Sequence, residues 1–144
     1  MALGGATREG LTYLLNLVRK GEIPVDSYFV ALVRNDAPGF SAAQLDEPDA
    51  AEYVRAEMVN DSANWTLVDN VLSNTAEITF PIAFSEWGSV NYWAICDAPL
   101  DPGGRVLFSG ALPEPIFIQT SYQAFFAPGS IGIDMDGNQW LQRL

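Results

Sequence analysis

Val90-Asn91-Tyr92-Trp93-Ala94-Ile95-Cys96, Asp97-Ala98-Pro99-Leu100-Asp101-Pro102-Gly103-Gly104-Arg105 and Val106-Leu107-Phe108-Ser109-Gly110-Ala111-Leu112 follow one another in a chain of 144 residues. The first and third stretches are apolar runs of strand length. The second is built from Pro, Gly and Asp, which interrupt regular structure and turn the chain. This rhythm continues in both directions, with further strands predicted over Tyr28 to Arg34, Tyr53 to Val59, Trp65 to Val68, Ala76 to Phe80, Ile116 to Thr120, Tyr122 to Ala127 and Ile131 to Met135. About eight to nine short strands with frequent turn signals and one helix predict an all-β fold, an antiparallel β-sandwich or jelly-roll-like barrel. A parallel α/β fold would need crossover helices, for which the sequence has no pattern.

The helix lies at the front. Leu11, Leu14, Leu15 and Val18 recur at helical spacing, Thr7 is placed to cap the N-terminus, Arg19 and Lys20 fall in the last turn, and Gly21 follows. One domain is expected over residues 1–144, with an N-terminal amphipathic helix in 1–22 and a β-sandwich in 23–144. Asn35 to Glu52 is polar and acidic and carries Pro38 and Pro48, which predicts a long exposed loop. There is no internal repeat and no heptad run from which a coiled-coil shaft could be built.

Composition removes several function classes. With 49% hydrophobic and 12% aromatic residues the chain can fill a core. Seven Lys and Arg stand against 18 Asp and Glu, a net charge of −11, which is the wrong sign for a nucleic-acid surface. There is no histidine, so His-based triads and His-containing zinc sites are excluded. The single cysteine, Cys96, sits in an apolar run and reads as a small buried hydrophobe; it has no partner for an intrachain disulfide. The first twenty residues place their charge after a broken apolar stretch, unlike a secretory signal, and no stretch approaches the length of a membrane span. A soluble protein made in the cytoplasm is expected.

Candidate sites are sparse. Asp134-Met135-Asp136-Gly137-Asn138 resembles the start of a calcium loop, but the chain ends before the required bidentate Glu, so an Asp-Gly turn is the better reading. Glu77, Glu86, Asp97 and Asp101 fall near strand ends, yet their spacing selects no acid/base pair. Asn60-Asp61-Ser62 and Asn64-Trp65-Thr66 match the glycosylation sequon, which has no meaning without a secretory signal. No catalytic residue, metal or cofactor is expected. The aromatics are more informative, because Tyr92 and Trp93 are adjacent, as are Phe125 and Phe126, and alternation sends one of each pair away from the core. Tyr92, Trp93, Phe125 and Phe126, together with the helix stripe Leu11, Leu14, Leu15 and Val18, are therefore the candidate interface residues.

Four stretches carry a family resemblance: Ser73-Asn74-Thr75-Ala76-Glu77-Ile78-Thr79-Phe80-Pro81; Trp87-Gly88-Ser89-Val90 leading to Ala94-Ile95-Cys96-Asp97-Ala98; Gly103 to Leu112; and Phe126-Ala127-Pro128-Gly129-Ser130-Ile131-Gly132-Ile133-Asp134. They resemble small bacteriophage virion proteins of the tail-fibre-like and minor structural type. The sequence departs from that pattern in the acidic loop of Asn35 to Glu52 and in the tail from Met135 to Leu144. The resemblance implies a non-enzymatic virion structural protein that decorates the particle exterior, as a capsid cement protein or a head-fibre base. A tail-fibre or baseplate attachment module is the alternative, and a carbohydrate-binding domain stacking sugars on Trp65, Trp87 or Trp140 is the third reading. The implied partners are further copies, with a trimer favoured, and other virion proteins such as the major capsid protein or tail proteins, with no nucleic acid and no membrane.

Overall fold

A computed structural model describes residues 1–19, 21, 23–35 and 42–134. Among the described residues the elements run β1 (Ala2–Ala6), α1 (Arg8–Arg19), β2 (Ser27–Val33), β3 (Ala56–Val59), β4 (Trp65–Val68), β5 (Val71–Asn74), β6 (Ile78–Ile82), β7 (Gly88–Cys96), β8 (Val106–Ile118), β9 (Gln123–Phe126) and β10 (Ile131–Asp134). Eight strands form one sheet in the order β3-β2-β7-β8-β1-β10-β5-β4, and β6 and β9 form a separate two-stranded ribbon. The sheet curls, so that Tyr28 of β2 meets Trp65 of β4 edge-on at 5.8 Å and Phe108 of β8 at 6.2 Å. From the inner face of the ribbon, Ile78, Phe80, Ala124 and Phe126 join the same core. The all-β, sandwich-like fold with an N-terminal helix is as the sequence predicts.

Two elements depart from expectation. A strand, β1, precedes the helix and enters the middle of the sheet, antiparallel to β8 and parallel to β10. The hairpin strand β5 was also missed, although its signal is present. Asp69 and Asn70, both at positive φ (51° and 64°), form the two-residue loop that matches the strand twist between Val68 and Val71. The runs predicted as Val106 to Leu112 and Ile116 to Thr120 are one strand, β8. Its register against β7 jumps between Tyr92↔Ala111 and Val90↔Ile116. Pro113 and Pro115 lie in that bulge, where a missing N–H interrupts no ladder.

β1, α1, β7 and β8 are held by close approach rather than by side-chain volume. Gly4 and Gly110 face each other across β1 and β8, and the indole of Trp93 fills the space above them. A Cβ at Gly4 would lie 2.6 Å from Trp93 Cζ2, and one at Gly110 2.7 Å from the same atom. Gly10 lets α1 press onto the backbone of β8, where a Cβ would run into the Leu107 carbonyl. Thr7 Oγ1 accepts a hydrogen bond from Gly10 N at 3.0 Å, the predicted N-cap, and donates to the Val106 carbonyl.

The acidic loop is not simply solvated. Residues 36–41 lie outside the described residues, but Glu47 turns inward to meet Arg55, with Nη2–Oε2 at 2.8 Å and side chains 1% (Arg55) and 8% (Glu47) exposed. Arg55 also donates through Nε to Glu47 at 2.9 Å and through Nη1 to the carbonyls of Ala98 and Gly103. The Tyr53 hydroxyl donates to Glu47 Oε1 at 2.8 Å. Every partner of this buried charge pair is in place, the condition under which such a pair is tolerated.

Candidate assembly surfaces

Strand alternation sorts the sequence-predicted interface residues. Trp93 is fully buried and Phe126 is 6% exposed, edge-on to Phe80 at 5.9 Å, so both belong to the chain's own core. Their neighbours differ: Phe125 is 50% exposed and Tyr92 is half-buried. The helix stripe also splits. Leu11 and Leu14 pack against the core, whereas Leu15 and Val18 are 66% and 88% exposed. The buried side of α1 is instead carried by Gly10 and Tyr13.

The residues quoted for the family resemblance are structural. Asn74 is buried; its Nδ2 donates to the Ala76 and Ala127 carbonyls and its Oδ1 accepts from Ile131 N, tying three connections together. Asp97 accepts from Arg105 N at 2.6 Å and Arg105 Nε at 2.7 Å, closing the Pro/Gly segment between β7 and β8. The indole N–H of Trp87 donates to Glu52 Oε1, which also accepts from Phe84 N and Ser85 Oγ.

The sugar-stacking candidates Trp65 and Trp87 are 6% and 2% exposed, which removes both as stacking platforms; Trp140 lies outside the described residues. Of the four strand-end carboxylates, Asp97 is held by Arg105 and Glu77 accepts from Thr79 Oγ1. Asp134 is buried in β10 opposite Val71, while Asp136 to Asn138 lie outside the described residues. Among the described residues no three His, Cys, Asp or Glu side chains are grouped to hold a metal ion, and no helix is long and apolar enough to cross a membrane. Cys96 is fully buried, and desolvation pushes its thiol up to about 12, away from nucleophilic chemistry.

Among the described residues, three exposed apolar surfaces stand out. The first is the outer side of the β6–β9 ribbon, with Ile82 (48% exposed) opposite Gln123 and Phe125 opposite Thr79. Phe84 (77%) and Tyr122 (42%) extend it at the end where Ala83 and Tyr122 are hydrogen-bonded. The second is the tip of the β4–β5 hairpin, where Leu67 and Val68 are 64% and 60% exposed. The third is the outer side of α1, where Thr12, Leu15, Asn16, Val18 and Arg19 line a groove of about 330 Å³. Sequence reasoning found the third and part of the first. Ile82 and Phe84 share the parity of inward-facing Ile78 and Phe80, so the period of two hides them; the register shift between Thr79 and Ile82 is what leaves Ile82 exposed opposite Gln123.

The described residues thus form a hydrogen-bonded β-fold in which Asn74, Trp87, Asp97 and Arg105 are engaged in structure and apolar side chains spill onto strand and helix faces. The chain belongs to the podophage GP4 fiber I protein gp80 family, which it matches over residues 11–134, and it is a structural component of a bacteriophage virion. No curated protein matches it.

Proposed function

We propose that the chain is a non-catalytic subunit of a fibre on the outside of the phage particle, working as a closed homo-oligomer, with a trimer favoured. The observation that carries this reading is the uncovered ribbon face of Ile82, Phe84, Tyr122 and Phe125. Contiguous apolar area of this kind marks a contact with another protein. Membership of a fibre family supports a fibre position over capsid cement, and the burial of Trp65 and Trp87 counts against sugar stacking.

Quantitative mass spectrometry of purified particles tests the position. A few dozen copies or fewer per particle fits a fibre, hundreds fit a cement protein, and absence from particles overturns both. A Phe125→Asp subunit supplied to phage lacking the native one is expected to stay folded and to be left out of particles. Normal incorporation of that variant would remove the ribbon from the contact.

A further inference from the structure

We infer that copies of this chain bind head to tail, the outer face of α1 on one copy seating on the β4–β5 hairpin tip of the next. This rests on the homo-oligomeric reading above and gives it a geometry in which the ribbon face is left for a different virion protein. It starts from what α1 has already satisfied. Thr7 and Gly10 commit its inner side to β8, Tyr13 is buried and accepts from Val25 N on its hydroxyl, and Glu9 accepts from Val106 N at 3.1 Å. The outer side is left with Leu15 and Val18, followed beyond the helix by Ile23 at 84% exposed. A short helix with uncovered branched side chains at i and i+3 offers a compact apolar anchor.

Charge selects the occupant. Among the described cations, Arg34, Arg55 and Arg105 are ion-paired within the chain to Asp46, Glu47 and Asp97. Arg8 and Arg19 have no such pairing, and both are exposed on α1. On a molecule of net charge −11, the outer face of α1 is thus an apolar patch with cations at its ends. The hairpin tip has the opposite sign: Leu67 and Val68 are exposed, with exposed Asp69 in the loop.

The hairpin also offers unpaired backbone. β4 ends the sheet, and a two-residue loop makes Val68↔Val71 the hydrogen-bonded pair, so Leu67 directs its N–H and C=O away from β5. Both patches are exposed in the same chain, so they do not cover each other. They match in apolar character and oppose in charge, which a second copy supplies without another protein. A contact between two different patches is heterologous, and it closes into a ring when its rotation is three-fold.

Sedimentation and light scattering on the full chain test this with two variants, Val18→Asp and Leu67→Asp, each checked for native circular dichroism. Each variant alone is expected to be monomeric. Mixed, they are expected to form a one-to-one heterodimer that grows no further, because each retains the surface the other lacks. Where an aspartate variant fails to fold, Val18→Ser and Leu67→Ser serve in the same mixing experiment. Arg19→Glu is expected to weaken assembly and Asp69→Lys in the same chain to restore it, while added salt weakens the wild-type contact. A monomeric wild type, full assembly by either apolar variant alone, or a mixture that stays monomeric overturns the inference. Failure of the fibre reading is separate, since it shows as absence of the protein from particles whatever its state in solution.

Discussion

The seam beneath Trp93 and the outer face of the β6–β9 ribbon are made of the same kinds of residue and end in opposite environments. In the seam, Gly4, Gly10 and Gly110 bring three backbones close enough to seal a tryptophan completely. On the ribbon, Phe125 and Phe84 keep half or more of their surface in water. Burial here is decided by whether a neighbouring element can approach, not by how apolar a segment is. Glycine is what permits approach at the seam, and among the described residues no element lies over the ribbon face.

The seam depends on residues that precede the helix, so the comparison is broken most severely by removing them. Deleting residues 1–20 takes away β1, an interior strand hydrogen-bonded on both sides, together with the helix that covers β8. The position of β1 in the middle of the sheet makes the β core depend on these residues. The truncated protein is expected to lose native circular dichroism and cooperative melting. A folded truncation would show that β8 and β10 can close without β1.

On the ribbon, the next largest effect is expected at Phe126, the inward member of the adjacent pair. Phe126→Ala removes the edge-on contact with Phe80 and leaves a void, which destabilises by about 3–5 kcal/mol in a well-packed core. Chemical denaturation reads it directly. In the seam, Gly110→Ala forces its Cβ toward Trp93, and overpacking of this type costs about 1–3 kcal/mol. A smaller loss at Gly110 would mean that the indole can shift, and that the seam is looser than its distances suggest.

These two regions also show how much was legible in the sequence. Strands Trp65–Val68, Gly88–Cys96 and Ile131–Asp134 and the capped helix follow from apolar runs, turn residues and the Thr7 cap. Ala2–Ala6 was invisible because Ala-Leu-Gly-Gly-Ala has neither β-branched residues nor alternation; only the glycine fit to Trp93 and β8 makes it a strand. The helix periodicity was real, but its most regular members, Leu15 and Val18, face outward because Gly10 lets the opposite side lie closer to the sheet. For the candidate surface, alternation shows that one of two neighbouring aromatics points out. It does not say which, since register depends on strands far away in sequence.

Cys96 extends the comparison to a chemical probe. Burial raises its thiol from 9.0 to about 12, with Arg55 opposing and Glu47 reinforcing the shift. A folded-state value above the unfolded one means that this stability is fully present below about pH 9 and is lost as pH rises toward about 12, by at most ~1.4 kcal/mol per pH unit. The denaturation midpoint of the native protein is expected to fall across this window, and that of Cys96→Ala to fall less. At neutral pH the native thiol is expected to resist alkylation until the protein is unfolded. Rapid labelling under native conditions would place Cys96 in a region that opens.

The smallest expected effect on folding belongs to Phe125, one residue from the Phe126 core position. Its ring is half exposed and lies opposite Thr79 on the outer side of the ribbon, so Phe125→Ser removes little area that folding buries. Surface changes away from caps, charge pairs and strained backbone usually stay within about 0.5 kcal/mol, and the denaturation midpoint is expected to move by no more than that. Assembly into particles is the measurement on which this variant should differ from wild type. A loss of several kcal/mol on Phe125→Ser would mean that the ring is packed within its own chain. The distinction between a ribbon that folds and a ribbon that assembles would then disappear.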